Sequence, residues 1–224
     1  MIIEPIAYIR TEFPEKFGIP RQSGLARQLQ ARIIFEPEYR NADAVRGLDG
    51  FSHIWLIWEF SANRRTGWQP TVRPPRLGGN EHMGVFATRS PFRPNPLGLS
   101  CVELVKVDLS DKEGPVLYVR GADLMDGTPI YDIKPYVKYA DSRPHAVCGY
   151  VDTLKERTLK VVIPQELTSA VDDRSSLQAL VEVLGLDPRP SYHDDPDRIY
   201  GLSFAGYNVR FKVSEGVLTV VAIG

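Results

Sequence analysis

The sequence predicts a mainly β protein with an α+β part, in which a strand-rich N-terminal domain precedes a smaller C-terminal domain. Short runs of β-branched and aromatic residues, bounded by Gly, Pro or Asp, dominate the first part of the chain. The last part contains an amphipathic helical pattern followed by alternating, strand-like segments. A length of 224 residues fits one large domain with a smaller companion.

The predicted strands of the first part share a high apolar content and flanking turn residues. They are residues 6–9, 54–60, 84–88, 102–107 and 116–119. Because such runs are typical of buried or half-buried strands, this part is predicted to be β-rich.

A polar segment at residues 140–144 separates the two parts, so we predict domains at residues 1–141 and 142–224. Pro164 precedes and Gly185 follows a single predicted amphipathic helix. Its apolar positions are Leu167, Val171, Leu177, Leu180, Val181 and Leu184. Residues 207–213 alternate apolar with polar side chains, and Gly216 leads into residues 217–223, which predicts a final hairpin.

The composition favours an ordinary globular protein, with 43% hydrophobic residues and a net charge of −1. We expect a cytoplasmic protein without a membrane helix or export signal, since no apolar run approaches about 20 residues. Cys101 and Cys148 match no redox or zinc spacing, so buried free thiols are expected. The four histidines lack ligand spacing, so no metal site is predicted.

Positive charge is concentrated between residues 61 and 95. This stretch holds six arginines against the single acid Glu81, and it contains no lysine. Its residues 61–80 are rich in proline and glycine, which predicts a long loop of the kind that usually carries function. The net charge of the chain gives no sign of a polyanion partner, but this stretch has a local excess of five positive charges.

Common enzyme signatures are missing from the sequence. There is no Gly-x-Gly-x-x-Gly after a strand, no phosphate-binding Walker loop, no His-Glu-x-x-His and no Gly-x-Ser-x-Gly. The sequence therefore disfavours a doubly wound nucleotide-binding enzyme or one of the common hydrolases.

Residues 84–98 combine rigidity with polarity. Three prolines at positions 91, 94 and 96 restrict the backbone around Arg93 and Asn95, and Arg89 lies just before them. Such a segment suits a binding site with fixed side chains, and it equally suits a stiff polar loop between strands.

Residues 123–136 place Asp123, Asp126, Asp132 and Lys134 close together after a predicted strand. Asp126-Gly127-Thr128-Pro129 is common turn chemistry, so Asp126 alone is explained by a cap on its own backbone. Turn formation explains Asp132 poorly. An early loop at residues 19–24, with Gly24 and small polar side chains, would let a ligand approach the backbone, although alone it is a weak signal.

Together these segments resemble the TrmO family. The resemblance rests on residues 20–24, 44–48, 51–55, 73–80, 84–98 and 124–136, in matching order and spacing. The run Gly-Val-Phe-Ala-Thr-Arg-Ser-x-x-Arg-Pro-Asn-Pro is the most specific of them. The resemblance covers about the first 140 residues and thins in the C-terminal part to residues 187–192 and 207–211.

The resemblance implies a methyltransferase domain built on a β-barrel, in agreement with the strand-rich pattern. It implies S-adenosylmethionine as cofactor, bound near the interface of a homodimer. The implied reaction is N6-methylation of threonylcarbamoyl-adenosine at position 37, beside the anticodon of threonine-accepting tRNAs. The C-terminal part looks like the accessory domain of bacterial members, with a suspected tRNA contact.

The family's cofactor pocket is carried over position by position. It comprises Gln22, Ser23, Gly24, Ser61, Ala62, Arg89, Leu99, Leu124, Met125, Asp126 and Gly127.

The implied chemistry needs alignment more than activation, because a sulfonium is already an electrophile. The exocyclic nitrogen of adenine is a poor nucleophile, so an acceptor for its proton would assist the attack. Asp126, Asp132 and Asn95 are the predicted candidates for this acceptor. Arg73, Arg76 and Arg93 are the predicted contacts to the RNA substrate.

Two other function classes remain open from the residues alone. A non-catalytic RNA-binding module would explain the arginines but not the acidic cluster at residues 123–134. A hydrolase of a small anionic substrate would explain both.

Overall fold

A computed structural model describes residues 2–63, 67–78, 80–154, 158–190 and 195–224. Its strands in these ranges are β1 (Ala7–Arg10), β2 (Gln30–Phe35), β3 (His53–Glu59), β4 (Thr71–Val72), β5 (Met83–Gly84), β6 (Leu97–Asp108), β7 (Val116–Arg120), β8 (Pro129–Pro135), β9 (Lys160–Val162), β10 (Tyr200–Phe204), β11 (Tyr207–Ser214) and β12 (Val217–Ile223). The α-helices in the same ranges are α1 (Lys138–Asp141), α2 (Gln165–Thr168) and α3 (Arg174–Gly185).

The N-terminal part is a closed six-stranded barrel in the order β1-β2-β7-β6-β3-β8, which confirms the predicted fold class. All six neighbouring pairs are antiparallel. Side chains of β3 show why the chain closes this way: Ile54, Leu56 and Trp58 are buried, while the residues between them are partly exposed. Alternation of this kind fills the barrel interior and leaves the other face for solvent and loops.

Most predicted strands of the first part are confirmed, with β6 longer than expected at Leu97–Asp108. The predicted strand at residues 84–88 is wrong. A two-residue strand, Met83–Gly84, runs into a 3₁₀ turn at Val85–Ala87. The hydroxyl of Thr88 donates to the Val85 carbonyl at 2.9 Å and the Thr88 N–H donates to the same oxygen at 3.2 Å, which closes the turn.

The C-terminal part is a four-stranded sheet in the order β10-β11-β12-β9, with its own apolar core and the predicted final hairpin. The single helix predicted from Leu167 to Leu184 is wrong in one respect, since α2 and α3 are separate. The Asp173 side chain accepts from the Ser176 N–H at 2.9 Å and begins α3, so the chain restarts a helix there.

The segment between β1 and β2 joins the two parts. Its residues Phe13, Ala26 and Leu29 are buried in the apolar core of the C-terminal part and not in the barrel core. The Gln28 N–H donates to Glu182 Oε2 of α3 at 2.9 Å. This loop, residues 11–29, is therefore held by the C-terminal sheet and helix as well as by the barrel.

Gly18 is the closest approach within that junction. Its φ is +91°, and a Cβ placed there would lie 2.1 Å from Cδ1 of Leu202, which is fully buried on β10. Because Leu202 has no solvent to move into, only glycine fits here.

Candidate functional site

A cavity of about 530 Å³ opens between the barrel and its loops. Its walls come from the loop 11–29, from the ends of β3 and β6, from residues 88–93 and from the turn after β7. The lining residues are Lys16, Ile19, Pro20, Arg21, Gln22, Trp58, Glu59, Phe60, Ser61, Ala62, Asn63, Thr88, Arg89, Pro91, Arg93, Leu97, Gly98, Leu99, Asp123, Leu124, Met125 and Thr128. Apolar and charged groups thus meet in one concave site of ligand size.

A buried polar network forms one wall of this cavity. The Trp58 indole Nε1–H donates to Ser100 Oγ at 2.9 Å, and the Ser100 hydroxyl donates to Asp123 Oδ1 at 2.5 Å. Trp58 is on β3, Ser100 is on β6, and Asp123 follows β7. Burial raises the pKa of the Asp123 carboxyl, while the Ser100 hydrogen bond and the nearby Arg89 charge oppose the shift.

A second carboxylate, Glu59, is held at the end of β3. The Tyr131 hydroxyl on β8 donates to Glu59 Oε2 at 2.5 Å. This hydrogen bond, together with burial and the negative charge of Glu59, raises the pKa of Tyr131 to about 12. Tyr131 therefore stays protonated and keeps Glu59 in place throughout the neutral pH range.

Arginines supply positive charge to the cavity lining. Arg89 Nη1 donates to the Gln22 side-chain oxygen, linking residues 88–93 to the loop 11–29. Arg93 is anchored by its donation to the Thr88 carbonyl at 2.7 Å, and its guanidinium lies 5.8 Å from the Phe86 ring centre. Burial and the charge of Arg76 lower the pKa of Arg21.

Seven of the eleven predicted cofactor residues line the cavity. They are Gln22, Ser61, Ala62, Arg89, Leu99, Leu124 and Met125. Ser23, Gly24, Asp126 and Gly127 lie outside the lining. Two of these shape its walls through the backbone: the Gly24 N–H donates to the Gly121 carbonyl at 2.8 Å, and the Gly127 N–H donates to the Ile9 carbonyl at 2.9 Å.

The three predicted proton acceptors also lie outside the lining. Asp126 accepts from the Thr11 N–H at 3.0 Å and pairs with Arg10 at 3.4 Å. Asp132 pairs with Lys134 at 2.8 Å on β8. Asn95 is exposed, and its backbone carbonyl accepts from the Leu97 N–H at 2.8 Å. The structure does not bring these three side chains together.

Of the predicted substrate residues, Arg93 lines the cavity, while Arg73 and Arg76 lie outside it on the exposed loop that precedes β5. The Arg73 Nε–H donates to His82 Nε2 at 3.0 Å. Arg64, Arg65 and Gly79, which belong to the arginine-rich stretch, lie outside the described residues.

The polar network and the Glu59–Tyr131 pair are not among the sequence predictions. Asp123 belongs to the predicted acidic segment, but no neighbouring residue distinguishes it from Asp126. Ser100 lies 23 residues before Asp123 and 42 residues after Trp58 along the chain. No local sequence pattern could therefore indicate these contacts.

The two cysteines differ in exposure. Cys101 is partly buried, and its thiol pKa is raised by burial, but Cys148 is exposed, so the expectation that both thiols are buried is wrong for Cys148. In the described ranges no group of three or more His, Cys, Asp or Glu side chains could hold a metal ion. No helix in those ranges is long and apolar enough to cross a membrane.

Two family models match successive parts of the chain. A family model described as the tRNA-methyltransferase O N-terminal domain matches residues 8–142, and one described as the TrmO C-terminal domain matches residues 156–224. The chain is 41% identical to the tRNA (adenine(37)-N6)-methyltransferase of Escherichia coli K12, covering 98% of this chain and 96% of that protein.

A relative from Eikenella corrodens with the same name is 44% identical over 77% of this chain and 97% of its own length. A crystal structure of TrmO from Pseudomonas aeruginosa superimposes with a TM-score of 0.83 at 29% identity, covering all of this chain and 98% of that one.

Proposed function

This chain belongs to the TrmO family of tRNA methyltransferases, and we propose that it methylates N6 of threonylcarbamoyl-adenosine at position 37, beside the anticodon of threonine tRNAs. It is an S-adenosylmethionine-dependent methyltransferase enzyme, as its relatives are. The observation that carries the proposal is the single cavity in which most of the expected cofactor residues meet a cationic rim.

The cavity fits the cofactor in size and chemistry. Its volume of about 530 Å³ falls within the range of roughly 300–1,000 Å³ for small-molecule sites. Leu99 and Leu124 would supply apolar contacts, Glu59 offers negative charge to the cationic part of the cofactor, and Arg89 offers a partner for its carboxylate. When bound, S-adenosylmethionine supplies an activated methyl group.

We propose that the residues of this chain align the methyl group of the cofactor with the substrate nitrogen and exclude water from the site. Gln22, Ser61, Ala62 and Met125 would hold the cofactor. Ser23, Gly24, Asp126 and Gly127 would support it from the turns behind the lining. Roles for Asp126, Asp132 and Asn95 as proton acceptors stay predictions.

The tRNA would meet the cationic side of the cavity. An anticodon-loop nucleotide is single-stranded and can turn into a pocket without breaking a base pair. Arg93 is fixed at the mouth by backbone carbonyls, and Arg73 and Arg76 are exposed on the adjoining loop. We propose that these arginines contact the RNA.

We propose that residues 1–141 form a barrel domain that carries out catalysis and that residues 142–224 form a domain that contacts the tRNA. The outer face of the C-terminal sheet supports this role. Arg210 and Lys212 of β11 are exposed there, and Lys160 lies on the same face two strands away. Basic side chains on one sheet face form an electrostatic footprint for a polyanion.

We further propose a homodimer that acts in the cytoplasm, where tRNA substrates are found. Apolar side chains beside the cavity support the dimer: Phe86, Trp68 and Leu99 are exposed over 71%, 52% and 52% of their surface. A second copy covering them would close the cofactor site on its open side.

Transfer of a radiolabelled methyl group tests the proposed function. Label should enter threonine tRNA that carries threonylcarbamoyl-adenosine, and unmodified tRNA should accept much less. Cofactor binding without transfer to any tRNA would favour an RNA-binding module. Turnover of a small anionic substrate without cofactor would favour a hydrolase.

A further inference from the structure

Two carboxylates line the cavity among the described residues, Glu59 and Asp123. They differ in their surroundings. Glu59 receives the hydroxyl of Tyr131, a partner that itself stays protonated to high pH. Asp123 accepts from the buried Ser100, which has 1% of its surface exposed, and burial raises the pKa of the Asp123 carboxyl.

The direction of the hydrogen bonds at Asp123 is fixed. An indole N–H can only donate, so Ser100 Oγ must accept from Trp58. The Ser100 proton is then directed at Asp123 Oδ1. Oδ1 therefore acts as an acceptor, and the carboxylate is held in one orientation by two buried side chains from neighbouring strands of the barrel.

The reaction of the proposed function releases a proton. The lone pair of the adenine N6 is delocalised, and the nitrogen becomes a better nucleophile as its N–H bond is broken. A general base must lie within hydrogen-bond reach of the proton it takes, so the acceptor is sought among the carboxylates that line the cavity.

We propose that Asp123 accepts the N6 proton of the substrate during methyl transfer, and that Ser100 and Trp58 position its carboxylate for this step. The inference rests on the proposed function. As the N6–H bond breaks, its electron pair forms the new N–CH₃ bond, and the C–S bond of the methyl donor breaks with its electrons going to sulfur. The proton goes to Asp123 and then to solvent, so charge and atoms balance.

Burial supports this role. It raises the pKa of Asp123 towards the pH at which the enzyme works, where a base combines the ionised form with proton affinity. By contrast, Asp126 and Asp132 are already paired with Arg10 and Lys134 outside the cavity.

The test compares Asp123→Asn, Ser100→Ala and unmodified protein. Asp123→Asn keeps the shape and an acceptor for Ser100, and its single-turnover methyl-transfer rate at saturating cofactor should fall by about 10²-fold or more. Calorimetry with S-adenosylhomocysteine should show little change in affinity. Asp49→Asn, an exposed aspartate of the barrel part outside the lining, is the matched control and should keep the full rate.

Ser100→Ala tests positioning. Ser100 stabilises the ionised carboxylate, so its removal should raise the pKa of Asp123 further. The acidic limb of the rate profile should move to higher pH, and carboxyl-carbon NMR titration, with Asp123→Asn to assign the signal, should show the same shift without any activity measurement.

Three outcomes overturn the inference. Asp123→Asn could keep the rate and its acidic limb. Its loss could instead follow weakened S-adenosylhomocysteine binding and disappear at saturating cofactor, which would make Asp123 a cofactor ligand. If Asp123→Asn fails to fold, an unmoved acidic limb in Ser100→Ala decides against the proposal. Absence of transfer by the unmodified protein would overturn the proposed function itself, whereas transfer that survives Asp123→Asn overturns only this inference.

Discussion

Gly98 and Trp58 are register partners across the β3–β6 ladder, and the indole covers the glycine so closely that a Cβ at position 98 would lie 2.3 Å from Trp58 Cε2. Both residues line the cavity, and the same indole holds Ser100. The absence of a side chain at position 98 therefore determines where Trp58 sits and, through it, how the polar network is arranged.

We expect Gly98→Ala to lower the free energy of unfolding by about 1–3 kcal/mol, because the added methyl overlaps a ring buried in a packed barrel. It should also weaken S-adenosylhomocysteine binding by displacing Trp58. Chemical denaturation and calorimetry measure the two effects. Gly50→Ala, at an exposed glycine with open space around its Cβ position, is the control. Unchanged stability and affinity in Gly98→Ala would contradict the close packing described here.

The junction between the loop 11–29 and the C-terminal sheet should show energetic coupling between Gly18 and Leu202. Gly18→Ala should destabilise the protein, both by the overlap with Leu202 and by its positive φ. Leu202→Ala should cost about 2–5 kcal/mol as a buried cavity-forming change. In the double variant the new methyl has room, so denaturation should give a coupling energy of about 0.5–3 kcal/mol. Additive effects would show that the two residues are not in contact.

Asp123 should leave a signature in the pH dependence of stability. Its folded pKa is raised, so the folded state holds this proton where the unfolded state has released it. Stability from this group is therefore lost as pH rises from the ordinary aspartate pKa of 3.8 through the folded pKa. Asp123→Asn should gain stability relative to the unmodified protein across that window and level off above it. Urea denaturation over the acidic range, with Asp49→Asn for comparison, measures the difference. A constant difference would argue against a raised pKa.

Tyr131 should ionise at unusually high pH. Its pKa of about 12 lies above the ordinary value of 10.0 because its hydroxyl donates to Glu59. Tyrosine ring-carbon NMR during an alkaline titration should show this signal moving late, and Glu59→Gln should return it towards the ordinary range. Since the folded pKa is the higher one, its contribution to stability is present below pH 10 and is lost as pH rises towards 12. An early-titrating Tyr131 signal in the unmodified protein would contradict the hydrogen bond.

The exposed arginines should govern the salt dependence of tRNA binding. Replacing Arg73 and Arg76 by alanine removes two positive charges, so the slope of log affinity against log salt should fall in magnitude by about 1.4–1.8 if each contacts a phosphate. Filter binding over a salt series measures the slope. Arg46→Ala is the control, because Arg46 already pairs with Asp43. An unchanged slope in the double variant would remove these arginines from the RNA surface.

The sequence predicts the strand-rich barrel part from apolar runs such as that of β3, and the final hairpin from the alternation in β11. Both strands bury every second side chain, but only in β11 does the sequence itself alternate between apolar and polar residues. β2 is not among the predicted strands, although its exposed Gln30 and Arg32 alternate with buried Ala31 and Ile33 as the polar and apolar residues of β11 do. The turn at Val85–Ala87 was predicted as a strand because its residue types suit strands, although the Thr88 hydroxyl closes a tight turn.

The cavity could be predicted only through the family resemblance, since its walls come from four separated parts of the chain. The local sequence pattern indicates Asp126 and Asp132 instead. In the structure Asp126 pairs with Arg10 of β1, and Asp132 pairs with Lys134, two residues further along β8. The local pattern does not indicate the chain of hydrogen bonds from Trp58 to Ser100 to Asp123, because strand register and not sequence proximity brings these residues together.

The burial of Phe13, Ala26 and Leu29 in the C-terminal cluster has an evolutionary consequence. The stretch of chain that supplies one wall of the cavity is folded against a second unit, so neither unit can drift in sequence without regard to the other. A descendant that discarded the C-terminal unit would have to make those three side chains polar, or recruit a new cover for them, before the cavity wall could keep its shape.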